Sequence, residues 1–344
     1  MKMCALVFLF AIIFLVAFTS DNPYFKISKQ DVELKIPKGF PQPVYDFKNN
    51  TPTPEIFTLG RKLFYDPILS SDYSISCATC HQRIAAFAHI DHALSHGIFG
   101  KIGKRNVPAL QNLIWKDAFM LDGGVNNLEV QPINPITNPI EMNEHLAPVV
   151  SKLQHDSNYV LLFQNAFHDT IVTSQKMLKA LAQFTGLMIS SDSRYDKFIR
   201  GEIELNEPEL RGLNLFRSQC LNCHPEPLFT DNSYRNIGLK PDTAIADSGR
   251  ATITGLAKDY FKFKVPSLRN VEMTYPYMHD GRFKNLKQVL DHYANGNFYG
   301  SYDKSIEKNI GLTEEQKNDL LAFLKTLTDK TFLYDRRFAD PEMK

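Results

Sequence analysis

Residues 77–81 read CATCH and residues 220–224 read CLNCH, so four of the chain's five cysteines sit in two copies of one pattern, each closed by a histidine. Two thiols three residues apart on one helical turn can each add to a vinyl group of the same porphyrin. The next residue then offers its imidazole to the iron, so tether and proximal ligand come from five residues. On this reading Cys77, Cys80 and His81 hold one covalent haem c, and Cys220, Cys223 and His224 hold a second. Two other uses of C-x-x-C compete. A Cys4 zinc site gives no role to either histidine. A redox-active dithiol belongs in a thioredoxin-like α/β pattern, which this sequence does not show.

The rest of the composition is that of a globular protein. The 344 residues suffice for two domains of ordinary size, with 43% hydrophobic and 22% charged residues. A net charge of +1 gives no reason to expect nucleic acid or an anionic membrane as partner. The N-terminus differs: Lys2 precedes an apolar run from Cys4 to Phe18, ended by Thr19, Ser20 and Asp21. That run is short for a bilayer span and fits the apolar region of a secretory signal, so residues 1–20 are expected to direct export, with periplasmic residence as the outcome. No A-x-A cleavage site is evident, which leaves an uncleaved membrane anchor as the alternative. Removal of the segment leaves a mature chain whose only cysteines are the two pairs.

The duplication extends beyond the cysteines. GRKLF (60–64) and GLNLF (212–216) each precede a motif on an amphipathic stretch. VPALQN (107–112) matches VPSLRN (265–270), and FMLDG (119–123) matches YMHDG (277–281), both pairs 158 residues apart. Helical patterns dominate: Thr313 to Gln316 has the capping-box form before Leu320, Phe323, Leu324 and Leu327, and Met177, Leu181 and Phe184 recur at helical spacing. The polar stretch GEIELNEP (201–208) marks the boundary. The expected fold is therefore all-α, with two c-type cytochrome-like domains at 21–205 and 206–344, one covalent haem in each, and long ordered loops. One of these is QPINPITNPIEMNEHLAP (131–148), whose four prolines forbid a long helix. The same offset places Tyr293 on Pro135 and Val289 on Gln131. If Tyr293 closes the second iron, the matching position over the first holds a proline, which cannot ligate.

These segments resemble the bacterial di-haem cytochrome c peroxidases and their MauG-type relatives over about residues 40–335. Besides the haem motifs, the similar stretches are SHG (95–97), RNVPAL (105–110), NPIEM (138–142), SRYDKF (193–198) and VPSLRN…YPYMHDGRF (265–283). The resemblance implies a peroxidase that reduces hydrogen peroxide to water, reacting at the His81 haem and taking electrons through the His224 haem from a small redox protein, cytochrome c or cupredoxin-like. It implies a glutamine and a glutamate in the peroxide pocket at Gln131 and Glu141. Both side chains have the chemistry for such a pocket. A carboxylate can carry a proton between the two peroxide oxygens, and an amide can donate a hydrogen bond that orients them. The resemblance also implies a first-iron distal ligand at His96, with His89 and His92 as rivals, and one Ca2+ held by Asn106, Thr274 and Pro276. Many relatives are dimers, which leaves a homodimer open.

Two positions depart from the peroxidase pattern. The second iron's distal ligand is usually methionine there, whereas Tyr293 stands at the matching place, as in the MauG type; His292 is an alternative ligand. Leu121 replaces the tryptophan that most relatives place between the haems, and Trp115, six residues earlier, reads as a packing residue. The rival functions are a MauG-like oxidase that modifies a partner protein or peptide, favoured by Tyr293 and disfavoured by Leu121, and a passive two-haem electron carrier.

Overall fold

A computed structural model describes residues 26–90, 92–306 and 311–342, and the export signal expected at 1–20 lies outside them. The helices are α1 (Pro54–Tyr65), α2 (Cys77–Cys80), α3 (Ile133–Thr137), α4 (Leu146–His155), α5 (Ser157–Phe167), α6 (Ser174–Gly186), α7 (Arg194–Ile199), α8 (Glu207–Gln219), α9 (Ala251–Thr254), α10 (Leu286–Asn295), α11 (Glu314–Lys325) and α12 (Lys330–Leu333). The described sheet consists of β1 (Tyr234–Arg235) and β2 (Phe263–Lys264), paired antiparallel with Tyr234 opposite Lys264. The fold is thus mostly helical, and much of its chain runs in ordered loops. No described helix is long and apolar enough to cross a membrane.

Two helix pairs carry the framework, and they repeat one device. Thr53 caps α1 and Pro54 starts it; Asn206 and Glu209 form a capping box on α8. A glycine on each helix then lets the partner's backbone come close. A Cβ on Gly60 would lie 2.0 Å from the Ala180 carbonyl oxygen on α6, and one on Gly212 would lie 2.0 Å from the Asp319 carbonyl oxygen on α11. Only hydrogen fits at either crossing. Around the first crossing Phe64, Phe87 and Phe184 interlock, with ring centroids 5.1 Å (Phe64–Phe184) and 5.8 Å (Phe64–Phe87) apart. Around the second, Phe216 meets Phe323 at 5.0 Å and Phe229 at 5.6 Å. All six phenylalanines are buried, each contributing about 2–3 kcal/mol of apolar transfer.

The loops repeat as well. Asn112 and Asn270, 158 residues apart, both adopt left-handed backbone (φ 59° and 58°) before a single 3-10 turn, at Leu113–Trp115 and Val271–Met273. Phe119 bridges Val125 as Tyr277 bridges Phe283. The halves meet where repeat-equivalent residues touch: Gln111 Nε2 donates to the Arg269 carbonyl at 2.9 Å. Asn112 and Asn270 both donate to Ser190, through its carbonyl and its hydroxyl respectively. Arg269, fully buried, forms a two-pronged pair with Asp196 at 2.8 Å on each arm.

One hydrophobic core runs from Ile27 to Met188 and is completed by Phe332, Leu333 and Phe338 returning from the C-terminus. The other runs from Tyr195 to Leu327. The proline-rich stretch 131–148 is not loop throughout. Helix α3 occupies five of its residues, and α4 begins at Leu146 because Pro148 falls in the first turn, where no N–H is needed.

Candidate functional site

Each motif presents its imidazole in the same way. Ser76 and Thr79 cap the single turn of α2, which carries Cys77 and Cys80. The His81 amide closes onto the Cys77 carbonyl at 2.9 Å, and the His224 amide onto the Cys220 carbonyl at 3.0 Å. In the second half the cysteines follow α8 directly, as a turn rather than a separate helix. His81 Nδ1 lies 2.6 Å from the Phe87 carbonyl, and His224 Nδ1 lies 3.0 Å from that of Phe229. A carbonyl only accepts, so Nδ1 carries the proton and Nε2 is left with its lone pair. Phe87 and Phe229 both adopt left-handed backbone at these bonds (φ 61° and 55°).

Burial pushes the His81 imidazole down to about 4 and lowers that of His224, so both rings are neutral. A neutral ring, held through one nitrogen by a backbone carbonyl, is the form in which histidine ligates metal. The four motif cysteines are free thiols. These residues fit two covalently tethered haems. Among the described residues no group of three or more His, Cys, Asp or Glu is arranged to hold a metal ion directly, so the Cys4 zinc alternative has no site.

Glu141 sits beside the first motif. After burial, the charge of Glu141 is the next influence that raises the Cys80 thiol, and it also acts on Cys77. Asn138 Nδ2 donates to Glu141 Oε1 at 3.0 Å, yet burial outweighs that bond and raises the carboxyl above its ordinary range. Asn138 lies in the NPIEM stretch, an amide at i, i+3 spacing from the acid, and that spacing was the signal by which sequence reasoning could have found it. The His96 segment is pinned to the same place. The Cys80 thiol reaches the His96 carbonyl at 3.4 Å, and Ile98 N–H donates to the Glu141 carbonyl at 2.9 Å. Gly97 is required between them, because its Cβ would fall 1.8 Å from the Ile140 carbonyl oxygen. The His96 ring packs edge-on against His92 (centroids 4.4 Å), with buried His89 6.2 Å away, so the two rivals belong to the same group. Gln131 stands just before α3, next to its N-cap Pro132, with its amide 3.9 Å from the Met120 sulfur.

Tyr293, on α10, lies near the second motif. Burial raises its phenol, followed by the charges of Cys220 and Cys223, so the ring lies close to that cysteine pair. His292 is turned elsewhere: its Nε2 is 2.9 Å from the Ile237 carbonyl. Asn106 is joined to the 274–281 segment by its N–H, which donates to the His279 carbonyl at 2.7 Å, while its Nδ2 donates to the Ala93 carbonyl at 2.9 Å. Thr274 Oγ1 donates to the Val271 carbonyl at 3.3 Å. The Leu121 carbonyl accepts from the Lys264 amide at 2.7 Å, which ties the first half's FMLDG segment to β2. Trp115 is a packing residue: buried, edge-on to Phe40 at 5.2 Å, its Nε1 donating to the Pro41 carbonyl at 2.8 Å.

Comparison with known proteins agrees with this arrangement. The family model "Di-haem cytochrome c peroxidase" matches residues 54–204. The methylamine utilization protein MauG of Methylorubrum extorquens is 35% identical over 317 residues, covering 90% of this chain and 87% of its own. The cytochrome c551 peroxidase of Nitrosomonas europaea is 34% identical over 296 residues, covering 83% and 84%. A crystal structure of a MauG-like protein associated with microbial copper homeostasis superposes with a TM-score of 0.83 at 32% identity, over 90% of this chain and 99% of that one. The diheme peroxidase BthA from Burkholderia thailandensis shares the fold, with a TM-score of 0.71 at 24% identity over 83% of this chain and 88% of its own. The chain therefore belongs to the di-haem cytochrome c peroxidase family, which spans cytochrome c peroxidases and MauG proteins, and is an oxidoreductase of the peroxidase type.

Proposed function

We propose that the protein is an exported, periplasmic di-haem peroxidase that reduces hydrogen peroxide to water with electrons from a small redox protein such as a cytochrome c or a cupredoxin. Each hydrophobic core holds one haem c, tethered by Cys77 and Cys80 with His81 in the first, and by Cys220 and Cys223 with His224 in the second. Bound haem supplies the iron at which peroxide is reduced and the path by which electrons reach it. The polypeptide does the rest. The observation that carries the reading is Glu141: a half-buried carboxyl of raised proton affinity beside the first cysteine pair, oriented by Asn138.

In this reading Glu141 takes a proton from one peroxide oxygen and returns it to the other as the O–O bond breaks. Its raised proton affinity, above that of an exposed acid, suits it to hold that proton briefly. Gln131 donates a hydrogen bond that orients the peroxide; its contact with the Met120 thioether is weak, so the amide gives it up at little cost. His96 would hold the first iron at rest and would have to swing aside, once the second haem is reduced, to admit peroxide. The stretch that carries it is held by Gly97 and Ile98 against Glu141, so this movement and the proton carrier are mechanically linked. Asn106, Thr274 and Pro276 would hold one Ca2+ where Asn106 meets the 274–281 segment.

Tyr293 favours a second reading, a MauG-like oxidase acting on a partner protein: burial holds its phenol neutral, so only a bound iron would draw off the proton, and a phenolate held in that way would stabilise oxidised iron. A single assay separates the two. The holoprotein is mixed with hydrogen peroxide and a reduced cytochrome c, and oxidation of the cytochrome is followed. Sustained donor oxidation is expected, and Glu141→Gln should lower it about 10²–10⁴-fold while both haems remain. Undiminished turnover in Glu141→Gln would remove the proton role. A wild-type protein that consumes peroxide without oxidising the donor would favour the oxidase.

A further inference from the structure

Lys116 follows the short turn Leu113–Trp115, and its surroundings are unusual for a lysine. Apart from its backbone N–H, bonded to the Leu113 carbonyl, it makes no hydrogen bond or ion pair among the described residues. Burial pushes its ammonium down to about 8, and the charge of Lys264 acts in the same direction. The Lys116 charge in turn reaches His81. Asn232 ties the Lys116 segment to a second lysine that arrives on β2 from the other half: Asn232 Nδ2 donates to the Trp115 carbonyl at 3.3 Å, and its own carbonyl accepts from Lys264 Nζ at 3.2 Å.

Lys264 is itself 7% exposed. Its Nζ lies over the Tyr234 ring at 4.5 Å and donates to the Asn232 carbonyl at 3.2 Å. The nearest carboxylate, Asp117, is 3.5 Å away with its side chain 72% exposed, so water screens most of that attraction. Arg250 covers the Tyr234 ring at 3.8 Å and adds a third cation. The Tyr234 hydroxyl is buried without a hydrogen-bond partner. Other acids of the neighbourhood are engaged: Asp122 with Arg105, and Asp259 with Lys262. Ammonium groups removed from water are costly without an anion at hand, and a buried hydroxyl donor needs an acceptor. The region has cations and a donor in excess and lacks one buried anion.

We propose that Lys116, together with Lys264, binds a propionate carboxylate of the haem tethered at Cys77 and Cys80. A porphyrin of this kind carries its own carboxylates, so the missing anion is covalently delivered to the site rather than recruited from solution. The inference rests on the haem assignment and is independent of the peroxide reaction. Lys116 then acts as a positioning residue for the first haem. Its charge also favours the reduced state of that iron, because a nearby cation stabilises an added electron.

The test uses the intact holoprotein. Haem content per chain is measured by pyridine haemochrome, and the two reduction potentials by redox titration, for wild type, Lys116→Gln and Lys116→Arg. With two haems in each, the proposal expects a lower potential at the first haem in Lys116→Gln, an unchanged second haem, and a return toward wild type in Lys116→Arg. Loss of one haem in Lys116→Gln but not in Lys116→Arg supports it equally, since charge then decides retention. Two haems with an unchanged first potential in Lys116→Gln would overturn it. So would an equal loss of haem in both variants, which would make the role one of packing. A wild-type chain without haem would instead defeat the underlying assignment.

Discussion

In the second half, Leu286–Asn295 is an unbroken helix of ten residues that brings Tyr293 beside Cys220 and Cys223. In the first half, the stretch 158 residues earlier contains Pro132 and Pro135 and is helical only over the five residues Ile133–Thr137. The cause is local. Proline at 135 has no N–H to return to the Gln131 carbonyl, so Asn134 bonds there at 3.2 Å and the chain turns out after Asn138. That turn delivers Glu141 to the first cysteine pair. A duplicated framework has thus kept its helix crossings, histidine anchors and asparagine turns while exchanging a tyrosine for a proline and an acid. In the proposed function the difference between the halves, rather than the shared frame, decides which one does chemistry.

The largest effect on stability that would break this comparison concerns the shared frame. Gly60→Ala and Gly212→Ala each force a Cβ against backbone, and each is expected to cost about 1–3 kcal/mol. Because the two crossings lie in different cores, the double variant should lose close to the sum. Urea titration of holoprotein checks this; a neutral substitution at one glycine would show that the two crossings are not equivalent.

The next effect is on pH dependence. Burial raises the Glu141 carboxyl, so it holds its proton to higher pH than an exposed glutamate. Its proton-accepting form appears only above that raised value, and turnover should rise with pH along a limb lying above the ordinary carboxylate range. The sign for stability is opposite. A folded value above the unfolded one gives a contribution that is full below the unfolded pKa and is lost as pH rises through the folded one. Asp196 behaves in the reverse sense. Burial pulls its carboxyl up, but the pairing with Arg269 outweighs that and lowers it, so its stabilisation is lost as pH falls. An acid limb in the pH–rate profile that stays put in Glu141→Gln would assign it to another group.

The smallest structural change is Tyr293→Phe, which removes one oxygen and should alter stability by less than about 1 kcal/mol. Its expected signature is spectroscopic: the absorption of the second haem changes and that of the first does not. An unchanged spectrum would remove the phenol from the second iron.

Much of the frame is legible in the sequence. The capping box at Thr313 and Gln316, the buried spacing of Met177, Leu181 and Phe184, and the 158-residue register all recur in the fold. These signals are local or repeated, and periodicity reports them. Contacts between residues far apart in sequence are not legible. Arg269 looks like one letter of VPSLRN, and nothing nearby marks Asp196 as its partner. The return of Phe332 and Phe338 to the first core is likewise invisible, because the C-terminal segment carries no repeat signal. At the site, NPIEM draws attention to Glu141, and only the i, i+3 spacing hints at the amide of Asn138 that orients it. Lys116 escapes notice for a deeper reason: the informative fact is a missing partner, and a sequence cannot show an absence. The choice between His292 and Tyr293 also needs the fold, since adjacent residues on one helix point in different directions.

The proposed division of labour requires one iron to be open and the other closed. Titration of the fully reduced holoprotein with carbon monoxide, followed by absorption, measures this directly. One equivalent should bind per chain, with the first haem's spectrum changed and the second haem's unmoved. Binding of two equivalents, or of none, would contradict it.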